Sequence, residues 1–126
     1  MRKLLLIFLM FPLLTQASNW VFIGESISNN KFFIDTQSIQ RSGDSVTFWD
    51  RTNFSSRDKH GDLSYKANYT INCRTRESIL RFLMTYDDLN NNGKMTGSIP
   101  ADPKAIWEPI PPDSAFESEM KFVCKR

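Results

Sequence analysis

Few side chains in this 126-residue chain could do chemistry, and most lack the partners chemistry needs. His60 is the single histidine and lies in the polar stretch Ser55-Ser56-Arg57-Asp58-Lys59-His60-Gly61-Asp62. A nucleophilic relay needs an imidazole held in a dry pocket, and a zinc site needs three or four ligands. His60 therefore reads as a solvated loop residue. Asp88-Leu89-Asn90-Asn91-Asn92-Gly93 matches the first half of a calcium loop. The twelfth position of that loop, which needs a bidentate carboxylate, is Ile99, so an Asn/Gly-rich turn is the simpler reading. No phosphate loop or nucleophile elbow is present, so neither catalysis, a cofactor nor a metal is expected. What remains is binding. Arg57, Lys59, His60 and Lys66 form a candidate contact set for an acidic protein segment or glycan, diluted by Asp58 and Asp62. Trp20, Trp49 and Trp107 read first as packing residues. Trp107, beside the proline-rich stretch, is the most open to a partner role.

Two cysteines complete the inventory, and the elements around them say where they meet. Leu63, Tyr65, Ala67, Tyr69, Ile71 and Cys73 alternate with Ser64, Lys66, Asn68, Thr70, Asn72 and Arg74. Period-two alternation predicts a long strand with one buried and one wet face, and Cys73 lies in the buried register. Near the end of the chain the period changes. Phe116, Met120, Val123 and Cys124 recur at helical spacing, behind a capping box with Ser114 as cap and Glu117 reaching back. Both sulfurs thus face one sheet–helix interface. A Cys73–Cys124 bridge is expected, worth roughly 4 kcal/mol in the chain-entropy model.

Other strands are predicted at Trp20–Ile23, Lys31–Asp35, Ser45–Phe54, Glu77–Tyr86 and Lys94–Ile99. In the third of these, Val46 and Phe48 share one face, and Thr47, Trp49 and Arg51 the other. In Glu77–Tyr86 one face is expected to carry Leu80, Phe82, Met84 and Tyr86. A turn or single helical turn is expected at Thr36–Gln40. Short polar connections favour an antiparallel sheet. The fold class is α+β, mainly β: a twisted antiparallel sheet of about six strands with a C-terminal helix tethered by one disulfide.

The chain opens with Arg2-Lys3, the apolar run Leu4–Leu14 and Thr15-Gln16-Ala17. That is the layout of a secretory signal peptide cut after Ala17, too short to span a bilayer. The expected organisation is a signal peptide at 1–17 and one domain at 18–126. An exported chain is also where a disulfide persists. Without Arg2 and Lys3 the domain carries 14 basic and 14 acidic residues. Neutral balance gives no global pull on nucleic acid or anionic membrane, and no cysteine follows the cut site to carry a lipid anchor.

The segments Lys31–Ile39, Tyr69–Cys73, Arg81 with Thr85-Tyr86-Asp87, and Pro111-Pro112-Asp113-Ser114 running to Val123-Cys124 resemble the surface-adhesin protein E family of Gram-negative bacteria. The resemblance implies a six-stranded antiparallel sheet with a disulfide-tethered helix. It also implies a non-enzymatic adhesin that can form a homodimer and binds host matrix and serum proteins such as laminin and vitronectin. Two departures stand out: this chain lacks the family's lipid-bearing cysteine, and Ser55–Lys66 is mixed in charge where the adhesin is basic. The alternative expectation is a periplasmic accessory protein, such as a lytic-enzyme inhibitor or an envelope-assembly factor. Localisation is expected to be periplasmic, secreted or at the cell surface.

Overall fold

A computed structural model describes residues 17–125. The expected signal peptide falls almost entirely outside the described residues. The elements are β1 (Trp20–Glu25), β2 (Lys31–Asp35), β3 (Gln40–Ser42), β4 (Ser45–Asn53), β5 (Ser64–Asn72), β6 (Glu77–Tyr86), β7 (Met95–Ile99), β8 (Glu108–Pro109) and one helix, α1 (Ala115–Cys124). Short 3-10 turns occupy Thr36–Ser38 and Leu89–Asn91. The six longer strands run β1-β2-β4-β5-β6-β7 as one antiparallel sheet. The short β3 pairs with the start of β4, and β8 with the start of β6, so the sheet has two more strands than expected. Neither is long enough to show a period in the sequence.

Register assigns the two faces. Val21, Ile34, Asp50, Ala67, Leu83 and Ile99 lie opposite one another along one row. Together with Val46, Phe48, Tyr69 and Ile71 they form the face that meets α1. Its core joins Ile34, Val46, Phe48 and Ile71 to Met120, Val123 and Ile110, with Phe116 ring-packed on Tyr69 at 4.8 Å. Burial of this aliphatic and aromatic surface is the main force holding helix to sheet. The expected bridge is present: Cys73 and Cys124 are joined, with Cα atoms 5.8 Å apart. Cys73 lies one residue past β5, half-buried rather than in the deep core.

Three local expectations change. The even positions of β5 are not simply wet: Ser64, Asn68 and Thr70 are buried on the face away from α1. Trp49 and Phe82, stacked at 6.2 Å, flank Asn68 in its cross-strand row. Leu80 and Phe82 do not share a face. The β5–β6 register slips between Asn68 and Tyr69, pairing Asn68 with Phe82 but Tyr69 with Leu80. Arg81 is the extra residue of a bulge, and a bulge breaks strict alternation. At the helix start, Ser114 accepts from the Glu117 N–H as expected, at 3.1 Å. Glu117 reaches back to Asp113 N–H instead of to Ser114. It also pairs with Arg76 at 2.7 Å and Lys121 at 3.2 Å.

Candidate partner-binding surface

The second face of the sheet has no helix or second sheet across it among the described residues. Its central row is Phe22, Phe33, Arg51, Lys66, Met84 and Ser98. β4 has to place its odd residues here, because Val46, Phe48, Asp50 and Thr52 occupy the core face. The result is a set of cation–aromatic contacts. The Arg51 guanidinium lies 4.1 Å from the centre of the Trp20 ring, and Lys66 Nζ lies 5.5 Å from that of Trp49. Phe82 stacks on Trp49, and Phe22 meets Phe33 edge-on at 5.5 Å. Phe22 and Phe82 are about half exposed, at 54% and 41%. Partial burial lowers the Arg51 pKa, opposed by the nearby charge of Asp35.

One end of this face is closed by the segment after β6. Asn91 accepts from Arg51 Nε at 2.9 Å, Asn90 accepts from Asn53 Nδ2 at 2.8 Å, and Asn91 N–H donates to Ser64 Oγ at 3.0 Å. This is the stretch with the partial calcium pattern. Its carboxylates serve the backbone: Asp87 accepts from Lys94 N–H and Asp88 from Leu89 N–H, both at 2.7 Å. Asn90 and Asn91 adopt positive φ, a conformation asparagine tolerates better than most residues. The asparagines are thus turn formers and a lid on Ser64. Among the described residues no group of three or more histidine, cysteine or acidic side chains is placed to hold a metal.

The four basic residues singled out from the sequence separate into two places. Arg57, Lys59 and His60 sit on the exposed β4–β5 loop. Arg57 is partly committed to holding that loop, donating to the carbonyls of Gly61 at 2.9 Å and Asp87 at 2.8 Å. Asp58 organises the turn by accepting from the N–H groups of His60 and Asp62, both at 2.9 Å. The Asp62 contact is the largest of the effects that lower the Asp58 pKa. Lys66 lies inside β5 on the open face, beside Trp49. Sequence reasoning missed Arg51 and Phe82 as members of this surface. Their alternation with Asp50 and Leu83 was legible, but their companions across the sheet depend on register. Trp107 is 39% exposed.

A separate open cleft of about 500 Å³ lies between β6, β7 and the segment leading to β8. Leu80, Ile99 and Ile106 line it with Arg81, Lys104 and Glu108. Its lining also includes Ser78 and a second carboxylate, Asp102, but no histidine. No helix among the described residues is long and apolar enough to cross a membrane.

The model of the family described as surface-adhesin protein E matches residues 20–125. Solved structures of Haemophilus influenzae protein E share the fold. Its crystal form II aligns with a TM-score of 0.63 at 16% identity, over 86% of this chain and 89% of that one. Protein E from a non-typeable strain aligns with a TM-score of 0.57 at 15% identity, over 92% and 82%. No curated protein sequence matches.

Proposed function

The chain belongs to the surface-adhesin protein E family, and from that premise we propose that it is an exported, non-enzymatic domain that binds a protein partner through the open face of its sheet. The observation that carries this reading is the clustering of Arg51, Lys66, Trp20, Trp49 and Phe82 on the sheet face away from α1, where Phe82 stays 41% exposed. Tryptophan and arginine are the residues that most often dominate binding energy at protein interfaces. Arg57, Lys59 and His60 supply an adjoining polar rim on the β4–β5 loop. A cationic face of this kind suits an acidic segment of the partner, with the rim charges governing on-rate and salt dependence. Host matrix and serum proteins are the partner class that family membership suggests.

Titration of the purified protein against immobilised laminin and vitronectin tests the reading. Saturable binding at micromolar concentration or tighter is expected, with loss on Lys66→Glu. Saturable binding that Lys66→Glu leaves intact would remove the open face from the proposal. No binding to either protein would remove the matrix-adhesin version. A periplasmic accessory role, in which the same face docks on an envelope protein, is then favoured if cell fractionation finds the chain only in the periplasm.

A further inference from the structure

The core face contains a feature that binding on the open face does not use. Asp50 projects from β4 between Ile34 and Ala67 and is 2% exposed. Glu119 projects from α1 and is 1% exposed. Both side chains lie in the sheet–helix interface, and each carboxyl acts on the ionisation of the other there. Asp50 Oδ1, Glu119 Oε1 and the Thr52 hydroxyl oxygen are buried with no hydrogen-bond partner among the described residues. Two buried carboxylates that share a site repel and have no donor between them, so the arrangement requires a proton. We propose that Asp50 and Glu119 form a buried proton-binding site that latches α1 to the sheet, and that loss of its protons loosens the helix while Cys73–Cys124 keeps it attached.

The surroundings fit proton retention. Tyr65 and Tyr69 face the pair from β5, and burial, followed by the charge of Asp50, pushes Tyr65 up to about 12 and Tyr69 higher still. Both phenols are neutral in any working buffer. Glu108 of β8 acts on Tyr69 at longer range. The groups acting on the two carboxyls include no lysine or arginine. β2 offers only Ile34 opposite Asp50. Burial therefore raises Asp50 from 3.8 to about 7, against lowering contacts from Glu119 and the Ala67 N–H. Burial also raises Glu119 well above its ordinary value, and the adjacent Asp50 adds to the rise.

The sign follows by linkage. Both groups hold protons more tightly in the folded protein than in the unfolded chain. Their contribution is fully present below the unfolded carboxylate range. It is lost progressively as pH rises through about 4 to 7 for Asp50, and beyond that for Glu119. Each retained proton changes the folding constant by up to about tenfold per pH unit in that window. Glu117, lowered first by its bond from Lys121, acts in the opposite direction, losing stability as pH falls. The balance places greatest stability in mildly acid buffer.

Carboxyl-carbon NMR of the intact protein reads the site directly. Two carboxyl signals titrating together, with midpoints at least two units above ordinary carboxylates, are expected. Midpoints below 5 for both would overturn the proposal. Hydrogen exchange between pH 6 and 9, corrected for its intrinsic pH dependence, should show protection falling in α1 before the sheet. Uniform loss across both would remove the latch. In Asp50→Asn the amide supplies a permanent donor, so the fall in melting temperature from pH 5 to 8 should flatten. An undiminished fall in a folded Asp50→Asn would also count against the site. Stabilisation of the native protein, but not of Asp50→Asn, by millimolar calcium or magnesium at pH 8 would replace the proton with a divalent cation and overturn the proposal. None of these measurements involves laminin or vitronectin, so they stand apart from the binding reading.

Discussion

The two faces of this sheet are built from the same strands but solve different problems. On the α1 side Phe48, Ile34, Val46 and Ile71 are fully buried against Met120 and Val123. On the other side Trp20, Trp49 and Phe82 remain partly open, interleaved with Arg51 and Lys66. The first arrangement removes apolar area from water, which stabilises the fold. The second leaves aromatic area available and keeps cations close to it, which suits association. The difference teaches that alternation in β4 sends apolar bulk to the helix side and cations with aromatics to the other, one residue at a time.

The comparison can be broken at several points. The largest effect should come from Phe48→Ala, which opens a cavity under α1 and should cost about 3–5 kcal/mol. Urea unfolding measures it, and a loss under 1 kcal/mol would mean that the helix-side face is not the main core. Cys124→Ser should cost roughly 4 kcal/mol in the chain-entropy model and free the last turn of α1. An unchanged melting temperature under oxidising conditions would mean that the bridge contributes nothing. Trp49→Ala on the open face should cost less stability, about 1–2 kcal/mol, because the ring is only half-buried. Its partner affinity should nevertheless drop at least tenfold, and a variant that binds normally would separate Trp49 from recognition. Lys66→Ala and His60→Ala should leave stability within about 0.5 kcal/mol. For these two, binding at low and high salt is the informative measurement. Lys66→Ala should weaken affinity, whereas His60→Ala should alter mainly the association rate. Equal effects on affinity would place the loop and the sheet face in one site.

Much of the fold was legible in the sequence because its signals are local and repeated. The β5 alternation, the helical spacing of Phe116, Met120 and Val123, and the Ser114 cap each depend on neighbours within a few residues. The candidate surface was legible only in part. Lys66 and Trp49 were visible as side chains, but nothing local says that Arg51 lies over Trp20, 31 positions earlier in the chain. Asp50 and Glu119 were passed over for a related reason. A carboxylate at a core-facing position contradicts the hydrophobic pattern unless a second group meets it, and that partner lies 69 residues away. Conversely, the Arg57-Lys59-His60-Lys66 grouping joined residues close in sequence, of which three lie on the β4–β5 loop and one inside β5.

The sequence by itself determined the bridge and the two elements it joins. An even pair of cysteines, each on the apolar side of its own periodic segment, leaves one interface for both sulfurs. Only the tertiary structure decided what each face of the sheet presents. A bulge at Arg81 moves Leu80 to one side and Phe82 to the other, and cross-strand register sets Lys66 opposite Arg51. Register is a property of paired strands, so the same residues in the same order carry no record of it until the strands have met.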